Sequence, residues 1–384
     1  MPDRPEQGDI VRSRCRELCD RPLYRPTRAG ISLAALKRNL ERVAAFAGPA
    51  RVLFVVKADA YGHGAVPLAL YCQENRLCHS LGVACLEEGL ELRAAGVKLP
   101  VLVLGSLYPF NSFMEAIKNG LTITISSMEA ARQVLEAARL AGKKASCHIK
   151  VETGMNRIGA RRPSAVKIFQ ELSGQADVAV EGVYTHLSSA DTDPEYTAQQ
   201  LAYFRETLAE LGRSGARDLV RHAANSYAAV HVPDSRWDMV RTGLAAYGNM
   251  DGFEPILSLK SRIVFIKNVR EGAFISYNKS FRAPSPMKIA TVPLGYGDGY
   301  LRSLSGKAGM LVGGRRCRVL GSVTMDMAML DVTAVERVSV GDEVTAIGRQ
   351  GAETVTAEEL AGLAGTIPYE ITTLLTRRVP RVYA

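Results

Sequence analysis

Residues 121–142 read LTITISSMEAARQVLEAARLAG, and the fold is decided in this stretch. Residues 121–125 form a short apolar and β-branched run, which is the composition of a buried strand. Ser126 and Glu129 follow in capping-box spacing. Met128, Ala131, Leu135 and Ala138 then fall on one helical face, and Gly142 supplies the C-terminal stop. Strand, cap, amphipathic helix and stop together make one βα unit.

Outward from this unit the same pattern repeats from about residue 31 to residue 250. A second long helix is expected over 195–211, where Leu201, Phe204, Leu208 and Leu211 form one stripe before Gly212. Candidate strands are 52–56, 81–85, 101–104, 121–125, 147–151, 178–184, 219–222 and 239–241. About eight units in roughly 220 residues is the repeat count and size of a TIM-type (β/α)8 barrel. A doubly wound open sheet of similar length is the alternative, because strand order cannot be read from the chain alone. The unit count favours the barrel.

After Pro255 the texture changes to β-rich alternation over 258–269, 288–292, 310–320 and 343–348, broken by Gly and Asp turns. Only 357–364 and 369–375 read as helical there. The expected organisation is therefore a leader and first strand over 1–30, a barrel over 31–252, and a mostly β domain over 253–384.

The chain has 384 residues, of which 47% are hydrophobic and 23% charged, so a large core and a polar surface are both available. Disordered and collagen-like classes are excluded on those figures. The formal net charge of +9 arises from 48 basic residues spread beside 39 acidic ones, not from blocks, which argues against a nucleic-acid partner. No apolar run approaches the roughly 20 residues of a membrane span. The first two dozen residues lack the apolar centre of a secretory signal. Seven scattered cysteines, an odd number, favour a reducing cytoplasm over a disulfide framework. Cys72, Cys78 and His79 lack the paired spacing of a zinc site, and no metal is expected.

In a barrel the reactive groups stand where strands run into loops at the C-terminal face. There the first strand ends in Lys57-Ala58-Asp59-Ala60-Tyr61-Gly62-His63-Gly64, and the fifth runs into Lys150-Val151-Glu152-Thr153-Gly154-Met155-Asn156-Arg157. Strand six ends at His186, strand seven at His222 to Ser226, and strand eight at Arg241-Thr242-Gly243. Lys57 reads either as a strand-end lysine whose stem reaches solvent or as a Schiff-base lysine with a pKa lowered by desolvation. Asn225, Ser226 and Gly243 are ordinary turn residues taken singly, yet strands seven and eight are where barrels hold phosphate. His186 alone reads as structural; its convergence with Arg241 and Arg157 raises the functional reading. Ser276-Tyr277-Asn278-Lys279 matches SxxK without companion motifs and reads as a chance match.

Lys57 to Gly64, Lys150 to Gly159, His222 to Ser226, Arg241 to Gly248 and the terminal Thr366 to Arg381 together resemble the alanine racemases, fold type III pyridoxal-phosphate enzymes. The likeness runs from about residue 25 to the end. The tyrosine of ISYNKSF and the Gly-Tyr-Gly-Asp-Gly run over 295–299 narrow it to the racemases. The resemblance implies a barrel followed by a β domain that the first strand joins, pyridoxal 5'-phosphate (PLP) as cofactor, and a head-to-tail homodimer with shared sites. It implies that Lys57 carries the cofactor and serves as one base, with Tyr277 of the partner copy as the other. Tyr61, Asn225, Ser226, Gly243, Leu244 and Tyr369 would lie on the cofactor's phosphate side, Arg241 at its pyridine nitrogen, and His186 behind Arg241. Arg157 would contact the phenolic oxygen and substrate, positioned by Lys150 if that lysine is carbamylated. Met325 and Asp326 would help shape the substrate-carboxylate side from the partner copy, and Tyr296 the entrance. The implied substrate is a small amino acid, alanine, supplying D-alanine for peptidoglycan. Four positions depart from the family pattern: Asn156 and Asn278 stand where Gly is frequent, Thr324 where Cys is common, and Pro368 where Asn is frequent.

Racemisation needs acid–base groups on both faces of the substrate, and an amine and a phenol can supply them when neighbouring cations lower their pKa. A broader amino-acid or serine racemase is the near alternative. A decarboxylase of the same fold type pairs an acid with the pyridine nitrogen and uses a cysteine, where this chain offers Arg241 and Tyr277. A non-enzymatic PLP-binding protein would be a single barrel, which the β-rich segment and Tyr277 argue against.

Overall fold

The computed structural model describes residues 24–384, so the expected leader, with Cys15 and Cys19, lies outside the described residues. The chain divides into two compact units. One holds Leu36–Ala60 and Ala65–Phe253; the other holds the described residues through Ala35, Tyr61–Gly64 and Glu254–Ala384.

The first unit is an eight-stranded parallel barrel. Its strands are Arg51–Val55, Ser80–Val83, Val101–Val103, Thr122–Ile125, Ala145–Lys150, Val178–Tyr184, Val220–His222 and Met239–Thr242. The first seven pair in sequence order, and the eighth pairs with the first. A doubly wound sheet would reverse direction at a switch point; here the order never reverses, which removes that alternative. Between Val220–His222 and Met239–Thr242 the cylinder closes without a strand ladder. Asp238 N donates to Arg221 O and Arg241 N to Ala224 O, both at 3.0 Å. The Arg221 guanidinium also clamps Asp238 at 2.6 and 2.8 Å.

These strands are buried through most of their length because helices cover the outside and side chains fill the inside. Ser80–Val83, Thr122–Ile125 and Met239–Thr242 are buried at every position. The helix Met128–Ala141 buries Ala131, Val134, Leu135, Ala137 and Ala138, and Gly142 ends it at φ 57°. Its cap differs from the expected Ser126–Glu129 box. Ser127, in extended conformation, accepts from Ala130 N at 3.1 Å, while Ser126 turns to Ser106 at 3.2 Å. Two adjacent serines offered two caps, and the one at the true extended-to-helical transition took the role. The helix Pro194–Arg213 buries Leu201, Phe204 and Leu211 as its stripe requires, with Asp193 as cap; Leu208 is only half-buried.

The second unit is built on a mostly antiparallel sheet. Its strands run in the order Phe265–Val269, Met287–Val292, Ala328–Asp331, Arg315–Leu320, Gly309–Val312, Glu343–Gln350, Leu257–Arg262, Arg28–Ile31 and Arg381–Tyr383. Arg28–Ile31 pairs antiparallel with Leu257–Arg262 and parallel with Arg381–Tyr383. The expected helix over 357–364 is present as Ala357–Ala364, capped by Thr356, and that over 369–375 as Pro368–Thr373. A hairpin of Phe274–Ile275 with Phe281–Arg282 carries Tyr277 at its tip.

Candidate active site

After the strand Arg51–Val55 the backbone makes a left-handed helical turn over Lys57–Gly62. Ala58, Asp59, Ala60 and Tyr61 have φ of 52, 51, 53 and 55°. Each such L-residue costs roughly 1–2 kcal/mol, and runs of them are rare. Hydrogen bonds hold the turn. Glu88 accepts from Ala58 N and Ala84 N, each at 2.7 Å, and Asp59 accepts from Ala65 N at 2.7 Å. On its far side Arg381 Nε donates to Gly62 O at 3.0 Å and Tyr383 Oη to His63 O at 3.1 Å. A Cβ on Gly62 would collide with the Thr372 carbonyl, so glycine is required there by contact as well as by φ. Strain of this kind, fixed from several sides, concentrates at functional sites. The residue it starts from is Lys57.

Lys57 is half-buried, and burial, with Arg157 adding to it and Glu88 opposing, lowers its pKa. Lys150 is buried at the end of the fifth strand, 5.5 Å from the Tyr184 ring. Burial, Arg157 and Arg241 bring its pKa down to about 8. An amine so placed is uncharged for roughly a tenth of the time at neutral pH.

Arg241 is buried and, among the described residues, meets neutral hydrogen-bond partners only. Nη1 donates to His222 Nδ1 at 2.9 Å, and Nη2 donates to Thr185 O at 2.7 Å and Ala223 O at 2.9 Å, with His186 Nδ1 at 3.3 Å. The guanidinium also lies 5.2 Å from the Tyr184 ring centre. No carboxylate among the described residues is within ion-pair distance, and Nε has no acceptor among them. Burial lowers its pKa to about 10, which leaves it charged at neutral pH. Burial and then Arg241 push His186 and His222 well below the ordinary imidazole value, so both are neutral. His222 continues to His148 at 2.9 Å, and burial and Arg241 bring His148 to about 4.

At the ends of strands seven and eight, Ser226 Oγ accepts from Gly243 N at 3.0 Å and Ala245 N at 3.2 Å, with Thr242 Oγ1 at 3.4 Å. Two backbone N–H groups converge on one hydroxyl. Asn225 is the cap of the helix Ser226–His231, accepting from Ala228 N at 3.0 Å, and Leu244 is half-buried beside Gly243.

In the other unit, Tyr61 and Tyr369 rings stand 5.6 Å apart, and burial raises the Tyr61 pKa. Tyr277 is 69% exposed. Its hairpin tip is pinned by Ser276, which donates to Ser322 O at 2.9 Å and accepts from Ser322 N at 3.1 Å. Asn278 takes φ 56° and Asn156 takes φ 54°. Both therefore hold the left-handed conformation that Gly adopts freely and Asn tolerates best among the rest, which explains how they stand in glycine positions. Tyr296, Met325 and Asp326 are exposed on the 295–299 and 324–327 turns.

The fold thus brings Lys57, Lys150, Arg157, His186, Ser226 and Arg241 to one end of the barrel. Sequence reading gave no role to His148, His222, Tyr184 or Asp298, although His222 and Asp298 lie in stretches it singled out. His148 carried a signal, since it precedes Lys150 by two positions on the same strand and so shares its face.

A cation-rich barrel mouth, with a depressed lysine and a buried arginine among neutral imidazoles, has the charge and the titratable groups typical of a barrel enzyme's active end. The chain belongs to the alanine racemase family: the description "Alanine racemase, N-terminal domain" matches residues 31–251 and "Alanine racemase, C-terminal domain" residues 256–383. It is 42% identical over 369 residues to the alanine racemase of Symbiobacterium thermophilum, covering 94% of this chain and 97% of that one. It is 37% identical to that of Methanococcus maripaludis, covering 93% and 98%. Among solved structures it superposes on the Clostridium difficile alanine racemase with a TM-score of 0.89 at 36% identity, covering 94% and 96%. The Bacillus anthracis alanine racemase with bound L-Ala-P gives a TM-score of 0.88 at 36% identity, covering 95% and 96%. The chain is an amino-acid racemase that acts on alanine, and the broader-specificity alternative is not favoured. Among the described residues no helix is long and apolar enough to cross a membrane.

Proposed function

We propose that the chain racemises alanine with PLP held at this barrel mouth and with Lys57 and Tyr277 as the two bases. The observation that carries the reading is Arg241, a buried guanidinium whose Nε has no acceptor among the described residues and whose other nitrogens are held by neutral groups. Such a group fits a pyridine nitrogen: it donates a hydrogen bond yet does not give up its proton. The Ser226 hydroxyl and the N–H groups of Gly243 and Ala245 fit a phosphate, with Leu244 beside them and Asn225 shaping the turn, and the family resemblance assigns Tyr61 and Tyr369 to the same phosphate. Lys57, with its lowered pKa, fits the amine that carries the cofactor.

When bound, PLP supplies the electron sink that acidifies the substrate's Cα–H. The chain then decides from which face the proton leaves and returns. Lys57 Nζ exchanges it on one face, and Tyr277 Oη on the other. Arg157 holds the substrate and the cofactor's phenolic side, and Lys150, carbamylated through its partly uncharged amine, orients Arg157. His186 supports Arg241 at 3.3 Å. Met325 and Asp326 line the substrate's carboxylate side, and Tyr296 the entrance. The exposure of Tyr277 suits a base lent to a second copy in a head-to-tail homodimer. The free thiols of Cys72, Cys78, Cys85, Cys147 and Cys317 suit a reducing cytoplasm, where D-alanine feeds peptidoglycan.

The test is a visible spectrum of the purified protein with borohydride trapping, alongside a D/L assay. A band that disappears in Lys57→Ala, label at Lys57, and alanine racemisation support the reading. A colourless protein that stays inactive with added PLP, or label at another lysine, sinks it.

A further inference from the structure

The Gly295-Tyr296-Gly297-Asp298-Gly299 turn is packed so closely that a Cβ on Gly295 would collide with the Thr324 carbonyl, one on Gly297 with Arg378, and one on Gly299 with the Leu374 carbonyl. This closeness lays the turn along the 324–327 turn. Tyr296 N donates to Thr324 O at 3.0 Å and Gly297 N to Met325 O at 2.8 Å. Thr324 closes the second turn on itself, with Oγ1 donating to Met327 O at 2.8 Å.

Beneath the two turns runs a row of alternating charges. Asp298 is fully buried and accepts from Gly295 N at 2.9 Å and from both terminal nitrogens of Arg25, Nη2 at 2.7 Å. Arg378 Nε stands 3.4 Å from the same carboxylate, and Arg378 Nη2 donates to Asp326 Oδ1 at 2.7 Å. The row is therefore Arg25, Asp298, Arg378, Asp326, anchored in the interior and ending on a side chain 55% exposed. An ion pair as exposed as its outer member contributes little to stability. Its consequence is local: it fixes the Asp326 carboxylate and cancels its charge.

We infer that Arg378 is a positioning residue for substrate binding, tied to the buried Asp298 and holding and neutralising Asp326 so that the 324–327 turn accepts an amino-acid carboxylate beside Met325. This rests on the reading of Met325 and Asp326 as substrate-side residues. Without Arg378 the turn would present an uncompensated anion to an anionic group, and like charges a few ångströms apart repel.

The experiment uses the PLP-loaded enzyme and the variants Arg378→Met, Asp326→Asn and both together. Arg378→Met should raise KM for L- and D-alanine about tenfold while kcat changes less than about twofold, the pattern of lost binding common to ground and transition states. Adding Asp326→Asn should restore most of the loss, because the repelling charge is gone; Arg378→Lys should fall between. Propionate, which is alanine without its amine, gives a second measure by calorimetry that needs no turnover. Its affinity should fall in Arg378→Met and recover in the double variant. Thus an inactive parent enzyme counts against the racemase reading, while propionate binding still decides this one. Unchanged KM and propionate affinity in Arg378→Met, or a double variant no better than the single, would overturn the inference.

Discussion

Arg241 Nη1 donates to His222 Nδ1 at 2.9 Å across the barrel seam where no strand ladder runs. Because a guanidinium nitrogen can only donate, His222 Nδ1 must accept, and the ring carries its proton on Nε2. That proton is then donated to His148 Nδ1 at 2.9 Å, which places the His148 proton on its own Nε2. One always-charged group thereby fixes two tautomers in series. The stack of His222 on Tyr184, 4.7 Å between centres and 7° apart in plane, holds the first ring in place.

His222→Phe should separate packing from hydrogen bonding, since a phenyl ring keeps the stack and loses both nitrogens. Two buried atoms, Arg241 Nη1 and His148 Nδ1, would then lose this partner, at about 1–3 kcal/mol for a neutral group and more for a charged one. The expected outcome is a lower thermal midpoint and weaker PLP retention, measured by melting and by the visible band during dialysis. A variant that keeps both at parental values would show that the His222 contacts carry neither stability nor cofactor binding.

Acid should loosen the barrel earlier than carboxylate titration alone would. His148 sits at about 4 when folded against an ordinary value of 6.5, and His186 and His222 are shifted the same way. Between those limits the unfolded chain binds protons that the folded one refuses, so stability falls as pH drops through that window. For His148 alone the shift corresponds to on the order of 3 kcal/mol. A melting series from pH 7 to pH 4.5 should show the decline, and His148→Gln should flatten it. Equal slopes for parent and variant would remove His148 from the account.

Much of this was legible in the chain because it depends on local period. The strand and helix around 121–142, the stripe on Pro194–Arg213 and the helix Ala357–Ala364 each follow from side chains a few positions apart, though which of two adjacent serines caps the first helix did not. Lys57 and Arg241 stood out as polar groups at strand ends. What was not legible depends on distant partners. The His148–His222 contact joins residues 74 positions apart, and the burial of Asp298 depends on Arg25, 273 positions away. The left-handed turn was hidden for another reason: Ala58, Asp59 and Ala60 have no preference for it, and only Gly62 and Gly64 hinted at unusual backbone. The strands Phe274–Ile275 and Phe281–Arg282 are two residues long, too short to show a period.

Tyr277→Phe should fold normally, because the side chain is 69% exposed and only a hydroxyl is removed. PLP binding should persist while racemisation is lost. The loss should be greatest for exchange of the L-alanine α-hydrogen with solvent deuterium, which NMR follows directly. Near-normal exchange from L-alanine in this variant would exclude Tyr277 as the base on that face.

Lys57 and Tyr277 lie in different compact units and 220 positions apart in sequence, since 277 minus 57 is 220. In the proposed head-to-tail dimer each copy lends Tyr277 to the other's Lys57, giving two composite sites related by one two-fold axis. A Lys57→Ala chain paired with a Tyr277→Phe chain then produces one site with both native bases and one with neither. Each parent variant should be nearly inactive, and the mixture should recover up to about half of the parental activity per heterodimer, a consequence of the isologous symmetry. Differently tagged chains and a sequential pull-down establish that subunits have exchanged before activity is read. Heterodimers that form and remain as inactive as their parents would show that Tyr277 works within its own chain or is not the second base.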